Sequence, residues 1–299
     1  MQLYRYIFQI FGAPGELQFY AESKESAETA FFEVKQELLR VEKRYSRYDP
    51  ESIISQINKA AGTSAQIAVD EETASLLDFA NTCYETSEGL FDITSGILSR
   101  VWNFREKKVP TDTELQAVLP LVGWEKVQWM APHISLPIKG MELDFGGFGK
   151  EYGVERGAVA LQQCGIRHGF INLGGDIKVL GPHLDKTPWG IGISHPRVAD
   201  EVLTSVLMER GALATSGDYE RYFEVEGKRY CHILNPKTGF PVEGFQSVSI
   251  FHESALIAGC IATTVMVMSE QHEIAVGYLK EVGVNYLVVD KNGQQTLFC

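Results

Sequence analysis

Apolar and polar positions divide the chain into segments of two kinds. Alternation through Leu3, Arg5, Ile7 and Gln9, a turn at Gly12-Ala13-Pro14-Gly15 and a second run through Leu17 and Phe19 predict an N-terminal β-hairpin. Residues 23–44 instead place Ala27, Ala30, Phe31, Val34, Leu38 and Val41 at steps of three and four, the stripe of an amphipathic helix. The stretch from Tyr45 to Pro50 closes it, because the residue before a proline is pushed out of the helical region. A second stripe, Ala74, Leu77, Phe79, Ala80, Cys83 and Tyr84, marks residues 71–87 as helical, with Gly89 as the stop. Residues 115–121 suit a short helix, and 126–129 with 133–136 suit paired strands.

Residues 150–164 carry Val154, Ala158 and Leu161 on one face and end at Gly165, a residue suited to a left-handed cap. Strand-like runs follow at 169–173, 177–180, 189–194, 201–209 and 212–216, then a hairpin of 220–225 and 228–234 turning at Gly227. After a strand at 247–251, residues 255–268 are apolar on every side and predict a buried helix. A helix at 272–282 and a strand at 285–289 lead to a hairpin turn at Asp290-Lys291-Asn292-Gly293. Helices and strands mix without a strict βαβ rhythm. That predicts an α+β fold with antiparallel hairpins, one folding unit over 1–299.

Composition narrows the classes of function. The 299 residues are 44% hydrophobic and 22% charged, enough for a sizeable core. Lys and Arg number 27 against 39 Asp and Glu, a formal net charge of −12. So acidic a balance argues against a general nucleic-acid binder, whose footprint must be basic, and against a polybasic membrane anchor. No stretch approaches the roughly 20 apolar residues of a membrane helix, so no membrane insertion is expected. The five cysteines (Cys83, Cys164, Cys231, Cys260 and Cys299) lack CxxC spacing and read as free thiols of a reducing compartment. Arg5, Gln9 and Glu16 interrupt the apolar residues of the N-terminus, where no signal peptide is legible. The expectation is a cytoplasmic protein, or a periplasmic one if an export segment has been trimmed.

Four segments carry candidate chemistry. Leu143-Asp144-Phe145-Gly146-Gly147-Phe148-Gly149-Lys150 opens a helix, and its glycines permit close backbone approach while the helix start supplies unpaired N–H groups. A lysine at that corner suits a diphosphate, although the spacing is neither Walker A nor GxGxxG, and a tight packing turn explains the segment equally well. Asn172-Leu173-Gly174-Gly175-Asp176 fits a bulge or bend with Asp176 closing an Asx turn, or a backbone surface lying against a ligand. Ala214 to Tyr219 and His232 to Gly239 offer turn N–H groups, Lys237 and Thr238 as phosphate donors, with His232 either structural or catalytic. Thr263, in the apolar helix, either bonds back to a carbonyl one turn earlier or faces a ligand.

Taken together and in order, these segments resemble the ApbE family of FAD:protein FMN transferases. Patterns similar to LDLGGIAKGY, NAGGD, ATSGDY and HIIDPRTG, then an alanine-rich helix with Asp and Thr one turn apart, have counterparts here. They lie at residues 143–152, 172–176, 214–219, 232–239 and 258–263. Upstream, Phe11-Gly12, Ser46-Arg47-Tyr48 with Ser52 and Asn58, and Leu90 to Thr94 through Trp102-Asn103-Phe104 extend the likeness over nearly the whole chain. The resemblance implies a two-lobed, T-fold-like α+β architecture with antiparallel sheets and a ligand cleft between the lobes. It implies FAD as substrate, a divalent cation (usually Mg²⁺), and an acceptor flavoprotein whose Thr or Ser hydroxyl receives FMN as AMP leaves. Carried over by position, Phe11, Tyr48, Leu90, Phe91, Asp92, Asp144, Lys150 and Ile233 would line the flavin nucleotide. The Gly147 carbonyl and Thr263 hydroxyl would ligate the metal, and His232 would be the general base.

One departure bears on the chemistry. The carboxylate expected four residues before Thr263 is replaced by Gly259, and Asn235 stands where the pattern commonly carries Asp. Losing the anionic protein ligand predicts weaker Mg²⁺ binding. It leaves two alternatives to the transferase: an FAD-binding carrier of weak or no activity, or an FAD diphosphatase.

Overall fold

A computed structural model describes residues 1–298. Strands β1 (Gln2–Ile10) and β2 (Ala13–Ala21) form the expected hairpin, but the turn is Phe11-Gly12, both at positive φ (52° and 68°). Ala13, Pro14 and Gly15 lie inside β2, opposite Ile10, Gln9 and Phe8. Two successive left-handed residues match the twist of the flanking strands, which a turn centred on Pro14 would not. Ser23 then caps α1 (Lys24–Tyr45) in a reciprocal pair with Ser26, and the helix buries the anticipated stripe. The short helix α2 (Ile53–Lys59), capped by Ser52, has too few residues to show a stripe in the sequence.

The elements that follow are β3 (Ile67–Ala68), α3 (Glu71–Thr86), α4 (Asp112–Val118), β4 (Gln128–Met130), β5 (His133–Ser135) and α5 (Gly149–Gln163). Next come β6 (Gly169–Leu173), β7 (Asp176–Gly181), β8 (Trp189–Ser194), β9 (Val202–Met208), β10 (Gly211–Gly217), β11 (Tyr222–Val225), β12 (Lys228–Cys231) and β13 (Phe245–His252). The chain closes with α6 (Ala255–Met268), α7 (His272–Val282), β14 (Asn285–Asp290) and β15 (Gln295–Phe298). Among the described residues no helix is long and apolar enough to cross a membrane.

Eight strands form one sheet in the order β1-β2-β6-β7-β10-β13-β14-β15, antiparallel throughout. Period-two alternation assigns its faces. Ile171, Leu173 and Ala212 pack with residues of α1 and α5, and Val248, Ile250, Tyr286 and Val288 pack with α6 and α7. The intervening Phe170, Leu213 and Leu287 point the other way, onto Trp189, Ile191 and Ile193 of the β8–β9 hairpin. Both faces are covered, which is why several of these strands read as nearly continuous apolar runs. α6 lies against β10, β13, α5 and α7, so its apolar circumference is buried as predicted.

A second core gathers α2, α3 and the small sheet β3-β5-β4 around Ile54, Ile57, Leu77, Met141 and Phe148. Residues 143–150 run from this core into α5 and join the two regions. The two amide groups of Asn58 and Leu143 bond reciprocally (2.9 and 2.6 Å), and Asp144 N–H donates to the Ile93 carbonyl (2.8 Å). Leu143, Phe145 and Phe148 turn inward, leaving Asp144, Gly146 and Gly147 on the outer side.

Candidate functional site

The start of α5 is the point on which the four segments converge. Phe148 caps this helix without a side-chain bond, and of the first amides that of Gly149 donates back to the Phe145 carbonyl (2.6 Å). Lys150, in the first turn, forms an ion pair with the Asp176 carboxylate at the start of β7. Asp176 is only 1% exposed and also accepts the Thr215 N–H of β10 (3.2 Å). One residue on, the Ser216 hydroxyl bonds to the Thr263 hydroxyl of α6 (3.0 Å). Lys150, Asp176, Ser216 and Thr263 therefore belong to one continuous polar seam between the sheet, α5 and α6. Burial opposes charge on Lys150, but the Asp176 and Glu151 carboxylates prevail and hold its ammonium above the ordinary range.

Glu151 lies in the same seam. It is 7% exposed, and its Oε2 has no hydrogen-bond partner among the described residues. Burial, then the neighbouring Asp176 charge, push its carboxyl well above the usual carboxylate range. The carboxyl group rests against Gly259: a Cβ there would lie 3.0 Å from Oε1. Among the described residues no three His, Cys, Asp or Glu are grouped to hold a metal. Any cation in the seam would take hydroxyl and carbonyl oxygens as well as a carboxylate.

His232 follows β12, which ends at Cys231 rather than at 234 because the chain leaves the hairpin for a turn. Its backbone N–H donates to the Arg221 carbonyl (2.9 Å), and its Nδ1 is buried without a partner. Burial, then the Arg221 guanidinium and the Lys150 ammonium, pull the imidazole down to about 4. It is neutral at pH 7, as a proton acceptor must be. The electrostatic reach of Lys150 ties it to the seam.

Other predicted residues form a rim beside the α5 start. Asp144 pairs with Arg47 (3.1 Å) and accepts the Gly146 N–H (2.8 Å). Arg47 also donates to the Gly96 carbonyl and lies 5.2 Å from the ring centre of Tyr48, which is 83% exposed. The Phe91 ring lies 3.4 Å from where a Cβ on Gly147 would stand, and stacks with Phe148. Phe11, at the hairpin tip, sets its ring against Gly153 of α5 and donates its N–H to Glu42 (2.6 Å).

Three predicted residues sit differently. Ile233 is part of the apolar core beside α6, and Leu90 packs, partly buried, against it. The Asp92 carboxylate is held within its own loop by Thr94 N–H and hydroxyl (2.7 and 2.6 Å) and by Trp124 N–H (3.1 Å). An open depression of about 360 Å³ does place Asp92 and Gly89 opposite Pro236 and Lys237, away from Lys150.

Arg47, Asp176, Ser216 and Glu151 were not singled out as site residues by the sequence. For Glu151 a signal existed: with Val154, Ala158 and Leu161 it continues the buried stripe of α5, and a glutamate on an apolar stripe is an anomaly. The partners of Asp176 and Ser216 depend on strand pairing between distant segments.

The chain has relatives among known proteins. A "FAD:protein FMN transferase" of Vibrio cholerae is 34% identical over 268 residues, covering 87% of this chain and 80% of that protein. Its counterpart in Haemophilus influenzae is 26% identical over 279 residues, covering 90% and 81%. Among solved structures, an ApbE protein from Thermotoga maritima superposes with a TM-score of 0.91 at 30% identity, covering 99% of this chain and 97% of that one. The flavin transferase ApbE from Vibrio cholerae gives 0.85 at 27% identity with the same coverage. The ApbE family model matches residues 11–286, and the chain belongs to that family.

Proposed function

We propose that this protein is an FAD:protein FMN transferase, in which a Thr or Ser hydroxyl of an acceptor flavoprotein displaces AMP from FAD. The hydroxyl oxygen forms a bond to the FMN phosphorus while the bond from that phosphorus to the bridging oxygen breaks. AMP leaves with the electron pair, and the hydroxyl proton passes to His232. The observation that carries this reading is the half-buried His232 imidazole, whose Nδ1 is buried without a partner and which is held neutral in part by the Lys150 charge. Lys150 and the α5 amides beyond Gly149, which no side chain caps, are donors suited to the diphosphate oxygens. Tyr48, 83% exposed, offers a ring for stacking on the isoalloxazine.

A divalent cation, Mg²⁺ by its preference for hard oxygens, would be held by the Gly147 carbonyl and the Thr263 hydroxyl. The unpartnered Glu151 oxygen fits such an ion. When bound, the ion neutralises charge on the phosphate oxygens. The test is incubation with FAD, Mg²⁺ and a Thr-containing acceptor peptide, followed by separation of FAD, FMN and AMP. Release of AMP only with Mg²⁺ is expected. FAD left intact would overturn the proposal, and FMN with AMP but no modified peptide would replace it with a diphosphatase.

A further inference from the structure

We infer that Glu151 is the protein carboxylate of the cation site, standing in from α5 for the one that α6 lacks at Gly259. The inference rests on the transferase reading above. A Cβ built on Gly259 would lie 2.5 Å from Cγ, 3.0 Å from Cδ and 3.0 Å from Oε1 of Glu151. The Glu151 side chain therefore occupies the volume in which any side chain at 259 would begin. The two positions are complementary: Glu151 fits only because residue 259 is glycine, and Gly259 leaves no void only because Glu151 fills it. In the pattern quoted for the family the arrangement is reversed, with glycine after the lysine and the carboxylate on the later helix. Here the carboxylate has moved from one wall of the seam to the other while its location is kept.

Charge argues in the same direction. The seam holds two buried acidic side chains, Glu151 and Asp176, and one ammonium, which is already paired with Asp176. A carboxylate buried without a partner is strongly unfavourable unless a cation joins it. Glu151 Oε2 is an oxygen with no partner among the described residues, more than nine-tenths of the residue being shielded from solvent, so it is free to take a cation as that partner. One helical turn beyond Gly259, on the same face of α6, the Thr263 hydroxyl is held by Ser216. A carboxylate and an anchored hydroxyl are hard oxygen donors of the kind that Mg²⁺ and Mn²⁺ take.

The test is Mn²⁺ binding, read from the EPR signal of free ion with and without FAD, together with thermal unfolding in EDTA and in Mn²⁺. Glu151→Gln keeps the volume and removes the charge. It is expected to weaken Mn²⁺ binding at least about 10-fold and to abolish the Mn²⁺-induced rise in unfolding temperature. In EDTA the same variant unfolds no lower than the parent, because the amide keeps the volume and Oε2 has no hydrogen bond to lose. Gly259→Asp alone sets a second carboxylate onto the first and lowers the unfolding temperature. Combined with Glu151→Gly it recovers Mn²⁺ binding to within a few-fold of the parent. Unchanged Mn²⁺ affinity in Glu151→Gln, or no Mn²⁺ uptake by the parent with or without FAD, would overturn the assignment. The two proposals fail separately. Mn²⁺ binding that depends on Glu151 while FAD stays intact sinks the transferase reading alone, and FAD turnover with binding indifferent to Glu151 sinks this one alone.

Discussion

The rim and the seam lie on either side of the α5 start and treat charge in opposite ways. On the rim, one guanidinium (Arg47) meets one carboxylate (Asp144), and both have further partners in Gly96, Ser99 and Gly146. In the seam, the one ammonium pairs with Asp176, Glu151 keeps an unpartnered oxygen, and His232 keeps an unpartnered nitrogen. Buried polar atoms in folded proteins are nearly always bonded; of the four unpartnered side-chain atoms among the described residues, Glu151 Oε2 and His232 Nδ1 belong to the seam, while Arg229 Nη1 and Ser269 Oγ lie elsewhere. The rim has the polar satisfaction of a structural support. The seam has the deficit of a site that completes itself with ligand.

Substitutions can break that contrast, and the largest effect is expected at the unpartnered nitrogen. His232→Ala should reduce AMP release by about 10²–10⁴-fold, the usual contribution of a general base, while leaving the unfolding midpoint nearly unchanged. Lys150→Met should act on stability as well as activity, since it strands the Asp176 carboxylate. A loss of about 3–5 kcal/mol by urea titration is expected, partly recovered by adding Asp176→Asn. Gly153→Ala would place a methyl 2.5 Å from the Phe11 ring and displace the hairpin tip, a cost of about 1–3 kcal/mol. On the rim, Arg47→Ala should cost only about 1–2 kcal/mol, in keeping with partners that remain accessible to water.

The smallest effect sharpens the comparison by its absence. His232 stays neutral in the folded protein down to about pH 4, whereas an unfolded histidine gains its proton near pH 6.5. AMP release at saturating FAD should therefore show no acid limb between pH 8 and about 5.5 from this group. Its exclusion of the proton makes unfolding easier as pH falls from about 6.5 towards 4. A rate falling with a midpoint near 6.5 would contradict the burial described for His232.

How much of this could be read from the chain depends on distance along it. The stripes of α1, α3 and α5 and the left-handed cap at Gly165 (φ 82°) follow from contacts three and four residues apart, and the structure has them where the pattern put them. The first hairpin turn was legible only in outline. Gly-Ala-Pro-Gly has turn chemistry, yet Phe11 accepts a left-handed conformation and lets Pro14 enter the strand opposite Gln9. The order of the eight strands was not legible, because β6 inserts beside β2 across more than a hundred residues without a local signal. The same limit applied to the site. Lys150, Asp144 and Thr263 could be named from their segments, but Asp176 gains its meaning only when β7 and β10 pair. Glu151 stood out as a glutamate on the buried stripe of α5, but its role was not legible, because its counterpart is an absence, the missing side chain of Gly259.

The central claim is that the unsatisfied seam transfers FMN, and the most direct measurement is the mass of the acceptor. Full-length protein, FAD and Mg²⁺ with a Thr-containing peptide should yield a peptide heavier by one FMN phosphoester, with one AMP released for each, in the parent but not in His232→Ala. A peptide of unchanged mass beside intact FAD, or an equal yield from His232→Ala, would contradict it.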